Sequence, residues 1–162
     1  MRIDFKPGNM LYPVPVVMVS CADSEGRSDI VTVAWTGTIC TNPPMVYISL
    51  RPSRYSYDII KKSGEFVINL TNEKLVKIAD ECGVKSGRDI DKWKVLKIKQ
   101  LPSKVVAASS IKESPVCIEC KVEDIIELGS HHMFIAKVVA VNVDAKYMDE
   151  KNKFDLTKAD MV

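Results

Sequence analysis

Apolar and β-branched residues gather along this chain in short runs separated by turn-forming residues. Val16–Ala22, Ser28–Trp35, Met45–Leu50, Phe66–Leu70, Lys104–Ile111, Val116–Ile126 and Met133–Val143 each have the length and composition of a strand. Turn chemistry at Asp23–Gly26 folds the first two into a hairpin. Thr41-Asn42-Pro43-Pro44 cannot continue a ladder and marks a sharp redirection. The last two runs, joined by Glu127-Leu128-Gly129-Ser130, form a long hairpin. Helical spacing occurs twice. After Leu50, Ser53 or Ser56 is placed to cap a helix with Ile59 and Ile60 on its apolar face, Lys61 and Lys62 in its last turn and Gly64 closing it. A second helix, Glu73–Cys82, opens at Thr71 or Asn72, turns Leu75, Ile78, Ala79 and Cys82 to one side, and stops at Gly83.

The remaining segments are irregular. Phe5–Pro15 carries Pro7, Pro13 and Pro15 and reads as an arm. Val84–Lys99 is polar and basic around Trp93, a loop with a short helical turn, and loops of that length often cover sites. The tail from Asp144 has mixed charge and either packs on a partner subunit or frays. About seven strands with only two helices leave too few crossovers for a parallel sheet, so the expected fold is a mostly β, antiparallel barrel. A barrel of this size fills its interior with side chains, and a ligand must then lie outside it, against loops or a second subunit.

Composition narrows the classes. A chain of 162 residues suits one domain, here residues 1–162 with an arm over 1–15 and a tail over 144–162. The net charge of +2 comes from 23 basic and 21 acidic residues, which disfavours nucleic acid as a partner. Five cysteines, with nothing at the N-terminus that reads as a signal peptide, point to a reducing, cytoplasmic setting. No apolar run approaches the roughly 20 residues that span a bilayer, so no membrane association is expected.

Several motifs carry less than they suggest. Cys117-Ile118-Glu119-Cys120 is a C-x-x-C, but in a strand its two thiols face opposite ways, and no metal site is expected. His131 and His132 also diverge if extended. Gly83-Val84-Lys85-Ser86-Gly87 contains G-x-K-S without the spacing or the preceding strand of a phosphate loop. No G-x-G-x-x-G or G-x-S-x-G occurs.

The informative stretch is Asp29–Ser56, where two apolar runs flank the double proline and a polar segment with two arginines and two serines follows. A flavin mononucleotide asks for phosphate donors, polar contacts along its ribityl chain, backbone N–H groups near the ring carbonyls and an apolar wall. Thr32, Thr36, Ser49, Ser53 and Ser56 offer hydroxyls, and Arg51 and Arg54 offer countercharge. The start of the helix offers free N–H groups, and Trp35, Tyr47 and Tyr55 offer walls. Each also fits a duller role: the threonines as strand residues, a serine as a helix cap, the arginines as solvated surface. Their joint placement favours the ligand.

In this respect the chain resembles the flavin reductase-like, FMN-binding split barrels, and within them the flavoredoxin branch. The resemblance rests on Leu11-Tyr12-Pro13-Val14-Pro15-Val16, Ile30–Gly37 with Pro43-Pro44, Ser49–Ser56, Gly64–Asn69, and Gly129-Ser130-His131 running into Met133-Phe134-Ile135. It implies an antiparallel, Greek-key split barrel with two or three short helices, working as a homodimer with FMN near the subunit interface. It also implies NADH or NADPH as donor, and free flavin, iron or an electron-transfer protein as acceptor. By position, Thr32, Ala34, Trp35 and Thr36 would line the flavin. Ser49, Leu50 and Arg51 would follow the ribityl side, and Arg54, Tyr55 and Ser56 the phosphate. His131 would orient the nicotinamide. Ser130 and Ala136 stand where many flavin reductases carry Asp and Gly, which points away from a dedicated free-flavin reductase and not away from FMN. The alternative is a flavin-bearing electron carrier that deals only with protein partners.

Overall fold

A computed structural model describes all residues, 1–162. Its strands, in chain order, are β1 Val17–Ala22, β2 Ser28–Val33, β3 Thr36–Cys40, β4 Met45–Leu50, β5 Glu65–Leu70, β6 Gln100–Leu101, β7 Ser110–Ile111, β8 Val116–Leu128 and β9 His131–Val143. The two short ones, β6 and β7, pair only with each other. The other seven form one antiparallel sheet in the spatial order β2-β1-β5-β8-β9-β4-β3, so β2 and β3, consecutive in the chain, lie at opposite ends of it. The sheet curls without closing. The split falls where the chain passes from β2 to β3 through Ala34 and Trp35, and the Ser49 N–H donating to the Trp35 carbonyl at 2.9 Å ties the bend to β4. The fold is the expected antiparallel split barrel.

The interior is apolar, as a small barrel requires. Val19, Ile48, Phe66, Cys120 and Phe134 fill it, and helix α1 (Tyr55–Ser63) adds Tyr57, Ile59 and Ile60 to the same core. A second core forms outside the sheet, where Met18 and Ile30 meet helix α2 (Val76–Val84) and the short helix α3 (Lys92–Val95) through Ala79, Cys82 and Trp93. A fourth helix, α4 (Leu156–Ala159), is a single turn in the tail, one more than the resemblance implies. No helix is long and apolar enough to cross a membrane.

Four local expectations are corrected. Ser28–Trp35 is not one strand, because the chain bends after Val33 and resumes as β3. Helix α1 starts from Arg54 with no side-chain cap, so neither Ser53 nor Ser56 closes its end. The second helix is preceded by a 3-10 turn, Glu73–Leu75, and runs one residue past Gly83. Gly83 does not stop it: a β-carbon there would sit 3.2 Å from Thr32 Cβ, so the glycine lets helix and strand approach closely. Lys104–Ile111 is mostly loop, and only its last two residues pair, as β7 with β6. The amides of Lys104, Val105 and Val106 donate to the buried Glu119 carboxylate at 2.8, 2.7 and 3.2 Å, an alternative to a ladder that the run's β-branched composition does not reveal.

The C-terminal tail packs on its own chain. Tyr147 is buried and its hydroxyl accepts from Asn72 Nδ2 at 3.3 Å, while Met161 bridges to Asn72. Cys117 and Cys120 are free thiols in different cores, as their spacing in a strand demands.

Candidate functional site

Two adjoining cavities open beside the split. The larger, about 460 Å³, is walled on one side by Arg51, Ser53, Arg54, Tyr55 and Ser56, and on another by Lys85, Ser86, Gly87, Arg88 and Lys92, with Asp29 and Val31 completing it. Its volume alone falls in the range of small-molecule sites. The smaller, about 160 Å³, is lined by Val31–Trp35, Ser49, Leu50, Arg51, Arg54 and His131. Val31, Arg51 and Arg54 belong to both, so the two form one groove with a cationic end and a more apolar, aromatic end.

The cationic end is built around a buried charge. Lys92, on α3, is 3 % exposed and donates to the Ile30 carbonyl at 2.5 Å and the Cys82 carbonyl at 3.2 Å. Its ammonium also lies 3.0 Å from Asp29 Oδ1. Asp29 Oδ1 is thus buried between the Lys92 ammonium and Gly87, where a β-carbon would come within 2.5 Å of it. Asp29 Oδ2 accepts from the Ser56 hydroxyl at 2.6 Å. Lys92 thus ties α3, the end of α2 and β2 together. The charged donors least committed within the protein are the three guanidiniums. Arg54 gives one N–H to the Gly83 carbonyl at 3.0 Å and Arg88 gives one to the Ser53 carbonyl at 2.9 Å, out of five on each group.

At the other end Trp35 is 40 % exposed and its ring centroid lies 4.4 Å from that of His131, tilted by 42°. Burial, and then the nearby Arg51 charge, hold the His131 imidazole below its ordinary pKa. It is therefore neutral at pH 7. His132 faces the other way, with its Nδ1 2.7 Å from the Tyr57 hydroxyl, as alternation along β9 requires.

The groove gathers most of the residues singled out in the sequence. Ala34, Trp35, Ser49, Leu50, Arg51, Arg54, Tyr55, Ser56 and His131 all line it. Thr32 lines it too, but its hydroxyl donates to the Ala79 carbonyl. The Ser56 hydroxyl is spent on Asp29, and the Thr36 hydroxyl donates to the Tyr47 carbonyl at 2.6 Å, away from both cavities. Tyr47 lines neither. Sequence reasoning misses Asp29, since its partner Lys92 is 63 residues away and no local pattern links them. Lys85, Arg88 and Lys92 belong to the basic loop over 84–99, whereas Lys94 does not reach the groove. Gly83–Gly87 is no phosphate loop, yet its end forms part of the wall of the cationic cavity.

Other chemistry is poorly served. Burial raises the thiols of Cys82 to about 11 and Cys120 to about 12, and lifts Cys21 further, so none is a thiolate at neutral pH. No cluster of three or more metal-ligating side chains occurs.

The split barrel and its external groove define a class. Residues 9–156 match the family described as flavin reductase like domain, and the chain belongs to that family. A flavoredoxin of Desulfovibrio vulgaris (Miyazaki F) is 32 % identical and superposes with a TM-score of 0.92 over 100 % of this chain and 87 % of that one. A flavoredoxin from Methanosarcina acetivorans is 25 % identical, with a TM-score of 0.91 over 99 % and 84 %. An uncharacterised protein of Pyrococcus abyssi is 31 % identical over 81 % of this chain and 74 % of its own. The molecule is thus a flavin reductase-like protein with an FMN-binding type of fold.

Proposed function

We propose that this protein binds FMN in the groove and serves as an NAD(P)H-dependent flavin oxidoreductase of the flavoredoxin type. The observation that carries the reading is the shape of the donor set. Arg51, Arg54 and Arg88 all line one cavity of a groove whose adjoining cavity is bounded by Trp35 and His131. A phosphate on a flat ring needs those two environments at once.

Arg51, Arg54 and Arg88 would hold the phosphate, Ser49 the ribityl hydroxyls, and Ala34, Trp35 and Leu50 the ring. FMN, held there, would supply the capacity for hydride and electron transfer. The chain's own part is to bind, orient and shield. His131, neutral and beside Trp35, has one ring nitrogen able to donate and one able to accept, which suits an orienting contact to a nicotinamide amide. No acid or base is required of it.

Homodimerisation belongs to the same reading. Trp35 and Ile39 beside the split, and Ile126 and Leu128 at the tip of the β8–β9 hairpin, are apolar and between 36 and 58 % exposed. Apolar groups of that size left in water favour a second copy. Light scattering of the purified protein at twice the chain mass is the expected result.

The cofactor reading is tested by absorbance. The purified or reconstituted protein should be yellow and bleach anaerobically on adding NADH or NADPH. Bleaching by dithionite but by neither nicotinamide would instead make it an electron carrier. A colourless protein that takes up no FMN at micromolar levels would overturn the reading.

A further inference from the structure

The segment Lys85–Asp91 walls the cationic cavity in an unusual way, fixed at both ends and held lightly in the middle. At one end the Lys85 N–H donates to the Glu81 carbonyl at 2.9 Å, and the Lys85 ammonium pairs with the Glu81 carboxylate. At the other end lies the buried Lys92–Asp29 pair. Between them a tight turn forms on Ser86, whose hydroxyl accepts from the Arg88 N–H at 3.1 Å and whose carbonyl accepts from the Asp89 N–H, also at 3.1 Å. The middle touches the opposite wall at two residues. A β-carbon on Gly87 would sit 2.5 Å from both Asp29 Oδ1 and Tyr55 Cδ1, too close for any side chain. Arg88 reaches across to the Ser53 carbonyl at 2.9 Å and lies 5.6 Å from the centroid of the Tyr55 ring.

From this geometry we infer that Lys85–Asp91 is a strap over the phosphate end of the flavin site, with Arg88 as its latch, so that flavin is retained and not exchanged at each turnover. The inference rests on the FMN reading. Its distinctive content is kinetic. One exposed hydrogen bond and one cation–π contact are weak enough to open thermally and strong enough to keep the strap closed most of the time. Entry and exit of a flavin phosphate then both wait on the same opening. Once the phosphate is inside, the remaining N–H groups of Arg88 gain an anion to hold, and opening becomes rarer.

Stopped-flow fluorescence of the ligand-free protein mixed with FMN, and of the FMN-loaded protein diluted into a scavenger, gives both rates. Arg88→Ala and Gly87→Ala are the variants. The second removes no charge and only props the strap away from Asp29 and Tyr55. In each variant association and dissociation should both accelerate, by about tenfold for loss of the two latch contacts. Thermal unfolding of the ligand-free forms checks that the fold is intact. If Arg88→Ala, measured at salt high enough to screen charge steering, speeds release while entry is unchanged or slower, Arg88 is an ordinary phosphate ligand and the strap is refuted. Wild-type rates in Gly87→Ala refute it equally. A wild-type protein that binds no FMN overturns the cofactor reading itself, and the strap with it.

Discussion

At the scale of single residues, charge and hydrogen-bond commitments separate those that can meet a ligand from those that only stand near it. Thr32, Thr36 and Ser56 attract attention as hydroxyls in the sequence, yet each donates its proton inside the protein. Arg51 and Arg54 keep most of their donors. Arg54→Ala should therefore lower the flavin content of the purified protein well below that of Lys151→Ala, a change in the distant tail. Equal flavin content in the two variants would refute the placement of the phosphate. His131 carries a second prediction. Its folded pKa is lowered, so the unfolded chain takes up the proton first as pH falls. The stability it contributes is complete above its ordinary value of 6.5 and is lost as pH drops from there through the folded value. Titration of the ligand-free protein by NMR should give a His131 midpoint below 6.5. In Arg51→Gln the midpoint should rise without fully returning, because burial is the larger cause. A midpoint unmoved by that change would show that Arg51 does not act on the ring.

At the scale of elements, whatever depended on local pattern was legible and whatever depended on a distant partner was not. The apolar runs Val116–Ile126 and Met133–Val143 and the turn between them at Glu127–Ser130 foretold the long hairpin, and Gly64 closes α1 with its N–H on the Ile60 carbonyl at 2.8 Å. The bend at Ala34–Trp35 is invisible in an unbroken β-branched run, because it is imposed by the pairing of β3 with β4. The stretch over 104–111 misled for a related reason. Its composition is that of a strand, but Glu119, 1 % exposed and facing out of the barrel from β8, captures three of its amides. Glu119→Ala leaves those donors without an acceptor, at a cost of roughly 1–3 kcal/mol for each that water cannot reach. We expect a total loss of about 3 kcal/mol, read as a lower urea midpoint with little change in slope. The groove lies on the far elements, so FMN affinity should hold. A stability within error of wild type would mean that the loop finds water instead.

At the scale of the whole molecule, the small net charge conceals a strong asymmetry. Residues 85–104 hold seven basic and two acidic side chains, whereas the rest of the chain holds sixteen and nineteen. The positive segment begins at the wall of the cationic cavity, with Lys85 and Arg88 on its rim and exposed Lys94, Lys97 and Lys99 beyond. A field of this kind raises the encounter rate of an anion, and salt screens it: the Debye length falls from about 30 Å at 0.01 M to about 8 Å at 0.15 M. The association rate of FMN, a dianion, should therefore fall several-fold over that range. Riboflavin has the same ring and ribityl chain without the phosphate, and its association rate should stay nearly flat. Reversing two charges beyond the rim with Lys94→Glu and Lys97→Glu, neither of which lines the groove, should slow FMN entry at low salt and leave it unchanged at high salt. If FMN and riboflavin respond alike to salt, the positive segment does not steer the phosphate, and its lysines serve only as solvated surface.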